Sequence, residues 1–148
     1  MTRIHLCRSQ ISELLRISDP YLLLDTFELD SSSSTEATTS SQLASVSHIL
    51  ASHFIDQPTL PASISQEIML QSLACLINLS FANESSLAII VAFNTKILLP
   101  VCRPLPSLNC RVNFKTIKAN FIQGKASLIH DSSLIATSAC TYTLKSNF

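Results

Sequence analysis

The chain has 148 residues, 47% hydrophobic and 14% charged, with a formal net charge of zero: enough apolar side chain for one domain-sized core, and little charge to keep copies apart, so a homo-oligomer is expected. Its single glycine, Gly124, excludes glycine-rich phosphate loops. Basic residues are few before position 95, three against nine acidic, and dominant after it, seven against one. That asymmetry suits an acidic partner, while scarce aromatics and scattered lysines argue against nucleic acid.

In chain order, SQISELLRI (9–17) has helical spacing, with Ile11, Leu14 and Leu15 on one side, and Asp19-Pro20 stops it. YLLLDTFELD (21–30) reads as a strand, and the Thr-rich stretch running to about Val46 as a second one paired with it. Residues 47–61 read as irregular, punctuated by Pro58 and Pro61. Residues 62–81 make the strongest helix. Its apolar positions cover most of the perimeter, so it should be almost fully buried, and Ala82-Asn83-Glu84-Ser85 ends it. It is interrupted by Glu67, Gln71 and Asn78, which excludes a membrane span. SLAIIVAF (86–93) reads as a buried strand. Residues 110–121 alternate with one slip of phase, as at a bulge. Gln123-Gly124 reads as a turn, followed by strands 125–130 and 134–144 joined at Asp131-Ser132-Ser133. The expected architecture is a single α+β domain over 1–148: one long helix wrapped by an antiparallel sheet.

Five cysteines without a CxxC pair, and no apolar run after Met1-Thr2-Arg3, point to a reduced, cytoplasmic setting with mostly buried thiols. His48 and His53 lack a third ligand at a recognisable metal spacing, so no metal and no cofactor are expected.

Glu67 is the costly residue, because a carboxylate in an apolar helix must neutralise or find a donor. Ser63, Glu67, Gln71 and Asn78 fall along one stripe, a polar seam awaiting partners across an interface. His53, on the loop before the helix, can face the same cavity. A histidine can accept a proton near neutral pH, and a carboxyl in an apolar cavity can give one. The pair has the makings of acid–base chemistry without metal.

These residues resemble a known family. The 3-hydroxyacyl-ACP dehydratases carry HFPGxPxMPGxxxxEAxxQ, and His53-Phe54, Pro58, Leu60-Pro61, Glu67 and Gln71 match it without a gap. DPYLLLD (19–25) is similar to the family's YPFLLVD segment, and Pro100-Val101 to a further anchor. The resemblance implies the hotdog fold and removal of water from a (3R)-3-hydroxyacyl thioester held on acyl carrier protein. It implies a homodimer or trimer of dimers whose sites are shared between protomers. By position, His53 would be the base, Glu67 the acid, Gln71 its orienting residue and the Ala62 backbone N–H the donor to the thioester oxygen. Lys96 and Arg103 would serve carrier docking. The family's Pro-Gly after His-Phe is Ile55-Asp56 here, its helix-start Gly is Ala62, and its Arg-Arg before Pro-Val is Leu98-Leu99, so the chain looks like a divergent member. A non-catalytic acyl- or carrier-binding hotdog protein and a hotdog thioesterase are the alternatives.

Overall fold

The computed structural model describes residues 3–30, 32–81, 86–102, 107–118 and 120–146, apart from the side chain of Asp30. The elements in chain order are β1 (Arg3–Cys7), α1 (Arg8–Leu15), β2 (Thr26–Asp30), β3 (Glu36–Ser41), a 3-10 turn (Ala44–Val46), α2 (Ser47–Ser52), α3 (Ala62–Ser80), β4 (Ser86–Ile97), β5 (Leu108–Lys118), β6 (Phe121–His130) and β7 (Ser133–Ser146). All neighbouring strands are antiparallel in one seven-stranded sheet of order β1-β2-β3-β5-β6-β7-β4.

Helix α3 packs on β3 through β7 and on α1. Ile68, Met69, Leu70, Leu73, Cys75, Leu76 and Ile77 on α3 are buried against Val112, Ile122, Leu128 and Tyr142 of the sheet. Each fully buried Leu or Ile is worth about 1.5–3 kcal/mol, which is why this helix sits where it does despite its polar seam. It is not buried all round: Ala62 and Ser63, at its first turn, are exposed.

Several sequence expectations are corrected. Residues 21–25 are not strand. Leu22, Leu23 and Leu24 are all buried, which an alternating strand with one wet face cannot achieve. Side chains satisfy their backbone in place of a sheet partner: Arg8 donates to Leu22 O at 2.7 Å and Leu24 O at 3.0 Å, and Gln71 accepts from Leu23 N at 3.0 Å and donates to Tyr21 O at 2.9 Å. The second strand stops at Ser41, since 44–52 coil into the 3-10 turn and α2, and β1 was not anticipated. The slip in β5 is a register shift between Thr116 and Lys118, as the alternation suggested. The turn at Asp131-Ser132 has positive φ at both residues, 46° and 65°, the twist that a two-residue hairpin needs. The proposed helix stop at 82–85 lies outside the described residues.

Gly124 is no turn residue. It lies inside β6, paired with Phe114 and Cys140, where a Cβ would come within 2.6 Å of Leu73 Cδ2. The glycine marks a close approach of helix to sheet.

The strand after α3 is the largest surprise. β4 is an edge strand, and it is largely exposed: Val91 is 54% and Phe93 50% accessible, followed by Leu98 and Leu99 at nearly half. An apolar edge strand of this length is a surface that other proteins cover.

Candidate active site

Glu67 lies in the second turn of α3 and is half-buried. Gln71, one turn on, donates from Nε2 to Glu67 Oε1 at 2.9 Å. The same amide group donates to Tyr21 O and accepts from Leu23 N. Gln71 is 2% exposed with its hydrogen bonds made, so its rotamer is fixed, and it holds the carboxyl against the 21–24 segment. The Tyr21 ring lines a cavity beside the Glu67 carboxyl. Burial raises the Glu67 pKa above its ordinary value, and the Gln71 hydrogen bond only partly opposes it. Reciprocally, the Glu67 charge is the main reason that the Tyr21 phenol is raised.

Two cavities meet at this carboxyl. One, about 360 Å³, is lined by Tyr21, Val46, His48, Ile49 and Ile64. The other, about 260 Å³, runs between α1, α3 and β4 and is lined by Leu15, Ile17, Leu70, Ala74, Ala88 and Tyr142, among others. The second is almost wholly apolar, and suits an aliphatic chain whose reacting end reaches Glu67.

His53 follows α2 at a half-buried position. Its Nδ1 is 2.9 Å from Thr59 O. A carbonyl can only accept, so Nδ1 carries the proton and Nε2 keeps a free lone pair. The loop is anchored at its far end, where Leu60 N donates to Val101 O at 2.8 Å and Thr59 bridges to Cys102. The Pro100-Val101 motif therefore braces the His53 loop. Beside His53, Phe54 is 60% and Ile55 89% exposed.

The residues predicted from the sequence are only partly gathered within one protomer. Glu67 and Gln71 are together, whereas His53 lines neither cavity at Glu67; the histidine that does is His48. The Ala62 N–H stands at the first turn of α3, where no side chain caps the helix, so it is free to donate toward developing negative charge. Lys96 lies elsewhere, in a groove of about 420 Å³ on the outer sheet face with Lys125, Ser127 and Thr137. Arg103 lies outside the described residues. The seam is also less needy than expected: Asn78 donates to Leu14 O at 3.3 Å and accepts from Ala88 N at 2.8 Å. Sequence reasoning passed over Tyr21, although it stands in DPYLLLD, because nothing in the sequence says which way a loop tyrosine points.

Among the described residues, no group of three His, Cys, Asp or Glu could hold a metal ion. No described helix is long and apolar enough to cross a membrane.

No family model matches the chain, and no curated protein does. Solved structures match well in shape. A mutant thioesterase from Pseudomonas aeruginosa superposes with a TM-score of 0.71 at 12% identity, covering 96% of each chain. A Haemophilus influenzae thioesterase gives 0.63 at 14%, covering 81% of this chain and 78% of the other. A thioesterase family protein from Silicibacter pomeroyi gives 0.61 at 15%, covering 82% and 85%. The chain has the hotdog fold. At these identities the hotdog match concerns architecture, and the chemistry must be argued from the residues.

Proposed function

We propose that this hotdog protein removes water from 3-hydroxyacyl thioesters, at sites that each combine His53 of one protomer with Glu67 of its partner. The observation that carries the reading is the His53 Nδ1 to Thr59 O hydrogen bond, which presents Nε2 as a proton acceptor. Glu67 is the complement, since its burial favours the protonated form. A pair whose environments set one member to take and the other to give is the signature of an acid–base site.

In the proposed step, His53 Nε2 takes the proton from C2, and the C2 electron pair forms the double bond to C3. The C3–O bond breaks as Glu67 gives its proton to the departing hydroxyl, so water and an enoyl thioester leave. The Ala62 N–H donates to the thioester oxygen, where charge builds during proton abstraction. The apolar cavity beside Leu70 and Ala74 takes the acyl chain. Pairing of β4 with β4 of a second copy would cover its apolar edge, and exposed Phe54 and Ile55 would carry the His53 loop onto the partner. The basic C-terminal third, Lys96 included, supports a thioester carried on an acidic protein.

A second reading is thioester hydrolysis, which the thioesterase names of the structural neighbours favour. There Glu67 would act on water or on the carbonyl, with no need of His53. Product analysis by mass spectrometry separates the two. Incubation with a 3-hydroxyacyl carrier should give an enoyl thioester lighter by one water. Free acid plus thiol would establish hydrolysis, and no product across chain lengths would leave an acyl- or carrier-binding protein.

A further inference from the structure

The polar seam of α3 has two ends, and the proposed chemistry uses only one. Glu67 and Gln71 stand at the reacting end. Asn78 stands at the other end of the same apolar cavity, which follows α3 past Leu70 and Ala74 and is walled by Leu15 on one side and by residues 87–90 of β4 on the other. At 1.5 Å of rise per residue, Glu67 and Asn78 are about 16 Å apart along the helix. Asn78 is 5% exposed. Its amide donates to Leu14 O of α1 at 3.3 Å and accepts from Ala88 N of β4 at 2.8 Å. One side chain therefore ties the two walls together across the far end of the cavity. With a bond spent on each wall, the amide acts as a barrier and not as a polar contact for what enters.

We propose that Asn78 is the end stop of the acyl cavity and sets the substrate class to medium-chain acyl thioesters, about ten carbons long. The proposal rests on the reading that this cavity holds the acyl chain, and it adds how much chain fits. The cavity has a volume of about 260 Å³. At about 30 Å³ for a water-sized unit, close to the bulk of a methylene, that is room for roughly eight carbons beyond the reacting ones. A longer chain must push the amide aside or leave its tail in water. The first strips Leu14 O and Ala88 N of this partner, and the second forgoes the gain from burying each further carbon. Ala74, midway along the cavity, is small enough to leave the path toward Asn78 open.

The test measures affinity with probes that can neither lose water nor be hydrolysed: saturated acyl chains of graded length joined to the pantetheine arm through an amide in place of the thioester, titrated calorimetrically into the intact protein. Affinity should rise about fourfold with each added carbon, then level off near the length that the cavity holds. In Asn78→Ala the plateau should move out by about two carbons, the room that the lost amide leaves. A plateau at the wild-type length in Asn78→Ala, with circular dichroism unchanged, would overturn the end stop. So would wild-type affinity that is indifferent to length or that rises through the whole series. Asn78→Ala also removes a joint between α1 and β4, so Ala74→Leu provides an independent variant. It fills the cavity midway, and its plateau should move to shorter chains. An unmoved plateau there would show that the chain does not run along α3 toward Asn78, which would equally overturn the proposal. The chemistry is tested separately, by mass spectrometry of the products from 3-hydroxyacyl carriers of the same lengths. If none loses water, the dehydration reading falls, while the plateau still decides where the cavity ends.

Discussion

The two residues at the centre of the proposed chemistry live in opposite settings. Glu67 is enclosed by its own protomer: Gln71, Tyr21 and two cavities surround it, and burial shifts its proton affinity. His53 is braced from behind by Thr59 O and the Val101 bridge, while the residues after it, Phe54 and Ile55, stand in solvent. One half of the site is finished by folding, and the other faces outward. On the proposed reading, folding sets the acid and association with a second copy brings the base to it. An exposed apolar strand, β4, adjoins the carboxyl's apolar cavity through Ala88, Ile89 and Ile90, where a second copy would dock.

The largest expected effect breaks either half. His53→Ala and Glu67→Gln should each lower turnover by about 10²–10⁴-fold, measured as enoyl thioester formed, with circular dichroism unchanged. Near wild-type turnover in His53→Ala would remove the base assignment.

Mixing those two inactive variants sharpens the comparison. If the halves belong to different protomers, subunit exchange produces heterodimers with one intact site and one doubly damaged site. At equal mixing, half of the dimers are mixed, so activity should return to about a quarter of wild type. No recovery, with exchange verified by mass spectrometry, would place both groups in one protomer.

A smaller effect concerns the outer sheet face. Lys96→Glu should raise KM for a carrier-bound substrate several-fold more than for a small thioester mimic, and added salt should narrow the gap, since exposed charges are screened beyond roughly 10 Å at 0.1 M ionic strength. Equal changes with both substrates would remove this face from docking.

The smallest effect is on stability, and its sign follows from the enclosure of Glu67. The folded protein holds this proton more tightly than the unfolded chain, whose glutamates titrate near 4.5. The stabilisation associated with that proton is complete below about 4.5 and is lost as pH rises through the folded value. Glu67→Gln has no charge to desolvate and keeps an acceptor for Gln71. It should melt a few degrees above wild type at neutral pH, and the gap should close as pH falls below 5. An equal gap at pH 4 and pH 7 would mean that the carboxyl is not desolvated.

The long helix and the strands after it were legible because their patterns are local: apolar residues around most of one helix, and a phase slip that marks a bulge. The His53–Glu67–Gln71 spacing could be read because it is linear in sequence. What failed was non-local. Residues 21–25 look like strand, and only the folded chain shows Arg8 and Gln71 taking over their backbone partners. SLAIIVAF looks buried because its composition is that of a core strand, and a composition cannot say whether the covering surface belongs to the same chain. The direction of Tyr21 was invisible for the same reason, since it depends on where α3 lies relative to a loop forty-six positions earlier.

That helix approaches the sheet closely at Gly124, where there is no side chain to keep Leu73 at a distance. Leu73 is fully buried and stands two residues past Gln71, so it has little room to swing aside. One hydrogen atom in place of a methyl therefore lets the helix ride this deep on the sheet. On the proposed reading, that depth would also set how far the carboxyl stands from whatever a second copy brings to meet it. In a chain of 148 residues with a single glycine, the residue with the least chemistry of its own would then fix the working distance for the residues with the most.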